Sequence, residues 1–209
     1  ILASRITIDN NHKNTDDDYL KIMSILYNNS LITKEIYDVV LHNIDVIESI
    51  LDYNRDFDID YFGFKTLERS YLIRVCDKVV ERPQHMWMRV ALGIHGNNLE
   101  KVKETYDLMS KKYFTHATPT LFNAGTRFGS LSSCYLLGME DSLEGIFKCI
   151  TDCAKISKWA GGIGVHCSNI RGNGSLINGT NGKSTGLMPM LKTFNSVAKN
   201  ALYRAVSKI

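Results

Sequence analysis

Residues 113–186 constrain the fold of this chain more than any other part of the sequence, because apolar strand-like runs alternate there with a helical pattern and glycine-rich loops. Residues 131–137 and 162–167 are candidate strands, and a helical spacing of apolar residues separates them. Glycines at 172, 174, 179, 182 and 186 then punctuate a loop. Strand, helix, strand, loop and a last helix near Pro189 together predict an α/β layer or barrel with covering helices.

The chain before residue 113 has the pattern of a helical region. Thr15 followed by three aspartates is typical of a helix start, and Thr33, Pro83 and Asn98 mark the starts of further helices. Residues 72–80 break the helical period and predict a short hairpin. We therefore expect two domains, residues 1–112 and 113–209.

One helix of the second domain has a predicted start and a predicted inner face. Asp141 and Glu144 are spaced as a capping pair for it. Its apolar positions at helical spacing are Leu143, Ile146, Phe147, Ile150 and Cys153.

Composition narrows the classes of function. The chain has 209 residues and a net charge of +3, with no basic run, which argues against a nucleic-acid partner. No apolar stretch reaches the roughly 18 residues that a membrane span needs. Five cysteines are an odd number and too few for a disulfide framework, so we expect a reducing compartment and a cytoplasmic protein.

Several motifs have ordinary alternative explanations. Gly182-Lys183-Ser184 suggests a phosphate loop, but the position of the first glycine in that motif is held by Ile177. Cys149 and Cys153 lie one helical turn apart without a second pair of ligands, so small buried hydrophobic residues are a better interpretation than a zinc site. The remaining candidate is Cys134, which sits in a strand-like run. A lone strand cysteine is usually a core residue, so spacing alone indicates only an α/β protein with a candidate thiol site.

Longer motifs indicate a family. The chain resembles the large, catalytic subunit of class I ribonucleotide reductase, and the resemblance is closest to the eukaryotic and viral branch. The motifs that carry it lie in order at residues 61–71, 81–86, 114–126, 131–134, 160–165 and 179–182. The resemblance implies a mostly helical region at residues 1–112, followed at 113–209 by the opening part of a ten-stranded α/β barrel.

The resemblance also implies an activity. The family reduces ribonucleoside diphosphates to 2′-deoxyribonucleoside diphosphates for DNA synthesis, through a cysteine thiyl radical. Cys134 matches one half of the cysteine pair that supplies electrons and is reset by thioredoxin or glutaredoxin. Thr118, Ser133, Ala160 and Gly161 match substrate-binding positions. No metal or cofactor is expected in this chain, because the radical comes from a di-iron small subunit.

A second site implied by the resemblance binds an allosteric effector, a deoxynucleoside triphosphate or ATP with Mg²⁺. A carboxylate suits a ribose hydroxyl, and cationic side chains suit phosphates. The family forms homodimers of large subunits. The positions that match the effector site are Asp141, Ser142, Leu143, Lys158, Arg171, Asn178 and Gly179.

The match ends near residue 200, where residues 201–209 depart from the family pattern. In the family the radical-forming cysteine and the partner of Cys134 lie further along the chain. We therefore expect a truncated or interrupted chain that does not reduce ribonucleotides alone. Two alternatives stay open: a non-catalytic remnant that binds effector nucleotides or dimerises, and a scaffold that shares the fold without the activity.

Overall fold

The computed structural model describes residues 2–158 and 161–206, with side chains as far as residue 201. Two compact units divide between Leu131 and Ser132. The first contains helices α1 to α8, a short 3₁₀ helix and the strand pair β1–β2. Their bounds are α1 Leu2–Asn14, α2 Tyr19–Asn28, α3 Lys34–His42, α4 Ile44–Ile50, the 3₁₀ helix Tyr53–Asp58, α5 Tyr61–Ser70, β1 Arg74–Val75, β2 Lys78–Val79, α6 Pro83–His95, α7 Leu99–Ser110 and α8 Thr118–Asn123.

The core of the first unit is built around α6, which packs against α7, α8 and the 3₁₀ helix. Met86, Met88, Val90 and Leu92 of this helix are all fully buried. Arg89 and Ala91 are also fully buried, so residues 88–92 form an unbroken buried run. Because a helix exposed to solvent keeps one face polar, this run shows that α6 is enclosed on several sides.

Helix caps explain why most of these helices begin where they do. Thr33 and Asn98 accept hydrogen bonds from backbone N–H groups of α3 and α7, as predicted. The helix predicted after Thr15 is confirmed as α2, but its cap is Asp18, whose side chain accepts from the N–H of Lys21. The predicted hairpin is also confirmed, and it turns at Cys76 and Asp77, which both have positive φ.

The second unit contains β3 Cys134–Gly138, α9 Leu143–Lys158, β4 Gly162–His166 and α10 Leu187–Val206. The strands β3 and β4 pair in parallel, with Cys134 opposite Gly162 and Gly138 opposite His166. The helix α9 packs against both strands and against α10. Met139, Cys149, Cys153 and Phe194 form the buried core. The predicted class is confirmed: a mostly helical region followed by an open strand-and-helix arrangement.

Two predictions about α9 need correction. The helical spacing predicts Leu143 and Phe147 on its inner face, but their side chains are 67% and 59% exposed. The helix is covered on one side only, so these two residues fall on its open side. Asp141 does not cap the helix: the hydroxyl of Ser142 accepts from the N–H of Gly145, which frees Asp141 for another partner.

The observed boundary between the units lies beyond the expected one at residues 112 and 113. Residues 113–131 belong to the first unit because α8 packs on α6. The fully buried guanidinium of Arg89 donates to the carbonyl oxygen of Ala124 at 2.7 Å. Glu81 holds the other edge of that guanidinium at 2.6 Å. No helix in the described residues is both long enough and apolar enough to cross a membrane.

Candidate functional site

The candidate thiol, Cys134, lies at the start of β3 on the exposed face of the strand pair. Side chains alternate along the strands, so Cys134 shares its face with Leu136, while Tyr135 and Leu137 point toward the covered side. Leu136 is 91% exposed, which shows how open this face is. The thiol is therefore accessible to a ligand or a second thiol.

Glycines on β4 keep the space beside this thiol open. A Cβ added at Gly162 would lie 3.6 Å from the Cys134 sulfur and 3.2 Å from the carbonyl oxygen of Ser133. The N–H of Gly162 donates to that same oxygen at 2.8 Å. Any larger residue here would narrow the approach to the sulfur, so glycine at this position favours a reactive rather than a packed thiol.

Two of the other three thiols in the second unit are buried, whereas Cys134 is exposed and Cys167 is half-buried. Cys149 and Cys153 are buried, and burial raises the pKa of Cys149 and raises that of Cys153 to about 11. A thiol with a raised pKa is rarely the reactive thiolate at neutral pH. Their predicted role as buried hydrophobic residues agrees with these positions.

The described substrate-binding candidates fall in two places, and a fourth candidate is not among the described residues. Ser133 and Gly161 lie beside Cys134, at the adjoining ends of β3 and β4. Ala160 lies outside the described residues. Thr118 belongs to the first unit, where it is exposed at the start of α8 and its hydroxyl lies 3.0 Å from that of Tyr71.

Two of the predicted effector residues are joined by an ion pair. Arg171 Nε lies 2.8 Å from Asp141 Oδ2, and both side chains are about one-third exposed (31% and 30%). Arg171 also donates to the carbonyl oxygen of Leu176 at 3.1 Å. Arg171 therefore links Asp141, just before α9, to Leu176 in the glycine-rich loop.

The remaining effector positions are spread around that loop and along α9. Asn178 and Gly179 are exposed in a turn closed by the bridge between Leu176 and Lys183.

Ser142 and Leu143 adjoin Asp141 at the start of α9. Lys158 is the last residue of this 16-residue helix. At 1.5 Å per residue, it lies about 22 Å along the axis from Leu143. One chain therefore does not gather all seven residues in one place.

A protein-held metal site does not fit the part of the chain that is described. No group of three or more His, Cys, Asp or Glu side chains there could hold an ion. Magnesium that enters with a nucleotide needs no such group, because phosphates and waters supply most of its ligands.

Sequence reasoning missed Tyr71 as a neighbour of Thr118. The two residues are 47 positions apart, and no spacing rule links them. The only indication of a role for Tyr71 in the sequence is its position in the motif at residues 61–71.

Comparison with known proteins gives matches along most of the chain. Residues 57–129 match the family model described as ribonucleotide reductase, all-alpha domain, and residues 132–204 match the one described as ribonucleotide reductase, barrel domain. The two matches meet close to the boundary between the compact units.

Curated relatives have the same family name. The chain is 57% identical over 208 residues to the ribonucleoside-diphosphate reductase large subunit of Plasmodium falciparum (isolate Dd2), covering 95% of this chain and 26% of that protein. The large chain of Cryptosporidium parvum is 55% identical, with the same coverages. Large chain 2 of Saccharomyces cerevisiae is 52% identical over 95% of this chain and 24% of its own length. The chain thus spans about a quarter of the length of these curated relatives.

Proposed function

Because the chain belongs to the large-subunit family of ribonucleotide reductase, we propose that it takes part in the reduction of ribonucleoside diphosphates to 2′-deoxyribonucleoside diphosphates. The observation that carries the proposal is the exposed thiol of Cys134 beside Gly162. Ser133 and Gly161 border that thiol and belong to the proposed substrate site.

Cys134 acts in this reaction as one of two thiols. The C2′–OH bond of the ribose breaks, its oxygen leaves as water, and a hydrogen takes its place on carbon. Cys134 and a second cysteine thiol of the large subunit give up two electrons and two protons and become a disulfide. Thiol exchange with thioredoxin or glutaredoxin restores the dithiol. The radical that starts the reaction comes from the di-iron small subunit.

Protection of Cys134 from alkylation tests this proposal on the chain itself. Cys76 is also free and exposed, but it lies in the hairpin turn of the first unit, so it serves as an internal control. We expect cytidine diphosphate to slow the reaction of iodoacetamide with Cys134 and to leave Cys76 unaffected, as read by peptide mass spectrometry. Equal rates at Cys134 with and without the nucleotide would contradict the proposal.

The second candidate function is effector binding without catalysis, and it rests on the pairing of Asp141 with Arg171. These are an acceptor suited to a ribose hydroxyl and a cation suited to a phosphate. We infer that a deoxynucleoside triphosphate binds there, with Mg²⁺ on its phosphates, and that the loop carrying Asn178 and Gly179 closes over it.

The distance along α9 suggests that the effector site is completed by a second copy of the chain. If two α9 helices pack antiparallel across a two-fold axis, Lys158 of one copy approaches Asp141 of the other. Exposed apolar side chains on α9 and α10 support such contact: Leu143, Phe147, Met188 and Leu191. The proposed partner is thus a second large subunit.

Calorimetric titration with dTTP separates effector binding from an inert scaffold. Arg171→Ala removes the cation from the proposed site. Arg74→Ala is the control, since Arg74 lies in the first unit, is exposed and, like Arg171, donates to a backbone carbonyl. Binding to the parent and to Arg74→Ala, with about tenfold weaker binding to Arg171→Ala, is expected for a lost charge-assisted bond. Equal affinity in all three proteins would exclude this role for Arg171.

The cysteines suggest the cellular compartment in which the chain works. All five thiols are free. Because the reaction consumes reduced thiols, we propose the cytoplasm, where thiols are kept reduced.

A further inference from the structure

Two hydroxyl groups meet at the proposed substrate residue of the first unit. The phenol of Tyr71 lies 3.0 Å from the hydroxyl of Thr118, and either oxygen can act as the donor. Tyr71 follows the last residue of α5, and Thr118 is the first residue of α8. The contact therefore links two helices that are far apart in sequence.

The position of Tyr71 is fixed from both sides of its backbone. Its N–H donates to the carbonyl oxygen of Leu67 at 2.8 Å and so closes the end of α5. The next residue, Leu72, is buried in the core. The backbone at Tyr71 is therefore held by a hydrogen bond on one side and by a buried residue on the other.

The ring and the hydroxyl of Tyr71 contact the same face of α8. It stacks on Phe122, with ring centroids 4.8 Å apart and an interplanar angle of 10°. Phe122 is four residues after Thr118, one helical turn along. One side chain thus contacts both ends of one turn, which sets the rotation of α8 at Thr118.

The chemistry of the two hydroxyls indicates which of them donates the hydrogen bond. A hydroxyl carries one proton, and phosphate oxygens only accept hydrogen bonds at neutral pH. Thr118 therefore can donate to a phosphate only if it does not donate its single proton to Tyr71, so the phenol must be the donor of this pair. Since a phenol is the more acidic of the two hydroxyls, Tyr71 is the better donor in this pair.

We propose that Tyr71 is a positioning residue for the substrate. It donates to Thr118 and leaves the threonine proton directed toward the diphosphate of the bound nucleotide. This inference rests on the proposed function, because it takes Thr118 as part of the substrate site. Thr118 is exposed, so a ligand can reach its hydroxyl.

The test is a double-mutant cycle on the whole chain, read by calorimetric titration with cytidine diphosphate. Tyr71→Phe removes the phenol oxygen and keeps the ring on Phe122, while Thr118→Val removes the threonine hydroxyl at similar volume. Tyr37→Phe is the matched control. Tyr37 is also half-buried, stacks on Tyr27 at 4.7 Å and has its hydroxyl 3.2 Å from that of Ser24.

We expect Tyr71→Phe to weaken binding about three- to tenfold, the usual range for one lost hydrogen bond. The double variant should bind no more weakly than Thr118→Val alone, because Tyr71 acts through Thr118. Tyr37→Phe should bind like the parent. With cytidine, which has no phosphate, Tyr71→Phe and the parent should have equal affinity, whereas general distortion of the site would weaken both ligands.

The outcomes separate the two proposals. If Thr118→Val weakens binding but Tyr71→Phe does not, or if their effects add in the double variant, the positioning role is wrong and the proposed function stands. If Thr118→Val binds like the parent, or if the parent does not bind cytidine diphosphate, the substrate assignment itself fails and the inference fails with it.

Discussion

Buried polar side chains hold the first unit together at the level of single residues. Arg89 is fully buried and pairs with Glu81, which is 1% exposed. Such a pair contributes little net stability when intact, because desolvation opposes the attraction of the charges. Replacement of only one residue of the pair lowers the stability strongly, because the other residue is then a buried charge without a partner.

Substitution of Arg89 should therefore destabilise the first unit strongly. Arg89→Met leaves the carboxylate of Glu81 buried without a cation, and we expect a loss of about 3–5 kcal/mol in the free energy of unfolding. Urea denaturation measures this loss. Lys101→Met, which breaks the exposed pair of Lys101 with Glu104, should leave the midpoint unchanged.

A second variant keeps this prediction specific. Glu81→Gln combined with Arg89→Met removes both charges and retains an oxygen to accept from the N–H of Ile73. It should be more stable than Arg89→Met alone. If it is less stable, the loss comes from packing and not from the unpaired carboxylate.

His85 is held in its neutral form by its surroundings. Its Nδ1 accepts from the N–H of Arg82 at 3.2 Å, so the ring proton is on Nε2, 2.9 Å from the hydroxyl of Tyr53. That hydroxyl donates onward to the carbonyl oxygen of Asp17. Burial, helped by the charge of Arg82, lowers the pKa of His85 to about 3.

The depressed pKa of His85 predicts how stability depends on pH. Between pH 6.5 and pH 3 the unfolded chain binds a proton at this position and the folded chain does not, so stability falls as the pH falls. Denaturation at several pH values should give His85→Asn a smaller slope than the parent, by about 1.4 kcal/mol per pH unit for one proton. Equal slopes for His85→Asn and the parent would contradict the prediction.

At the level of elements, sequence rules succeeded where the signal was local. The caps Thr33 and Asn98 and the hairpin at residues 72–80 could be predicted, because a few adjacent residues determine each. The helix α1 was not predicted. Two of its three buried residues, Ser4 and Asn11, are polar, and Ser4 donates to the carbonyl oxygen of Ile59, 55 positions away.

In the candidate site, too, some features follow from local sequence and others depend on residues far apart in the chain. The roles of Cys134 and Arg171 are predictions from the family resemblance, whereas the pairing of Asp141 with Arg171 and of Tyr71 with Thr118 depends on folding. The spacing of Asp141 to Glu144 fits a helix cap and predicts one there. The hydroxyl of Ser142 took the position instead, and sequence spacing does not decide between two adjacent capping residues.

The packing of α8 on α6 depends on glycine at one position. A Cβ added at Gly93 would lie 2.0 Å from the backbone nitrogen of Gly125 and 2.5 Å from the carbonyl carbon of Ala124. Both atoms belong to the main chain that follows α8. That main chain cannot move aside as a flexible side chain can.

Gly93→Ala should therefore push α8 away from α6. We expect a loss of about 3 kcal/mol in the free energy of unfolding, the upper part of the range for overpacked cores. Gly129→Ala is the control, because a Cβ there has nothing within 4 Å. Hydrogen exchange at the amides of α8 should rise in Gly93→Ala only; unchanged exchange would show that the contact relaxes without cost.

At the level of the whole molecule, the two units differ in how much core each contains. The larger cluster of buried apolar residues extends from Tyr19 to Ala124 and lies entirely in the first unit. The second unit has four buried residues in its cluster and a two-stranded parallel sheet with one open face. Parallel strands are normally covered on both faces, and a pair of strands is too small to be stable alone.

This difference predicts that the units behave differently when expressed separately. Residues 2–131 should fold alone and melt cooperatively by circular dichroism, while residues 132–209 should show no cooperative transition. A piece ending at residue 112 is the critical comparison, because it removes α8 and leaves the guanidinium of Arg89 without the carbonyl oxygen of Ala124. It should melt well below the piece ending at residue 131. Equal melting temperatures would show that α8 adds nothing to the core of the first unit and that this unit ends near residue 112.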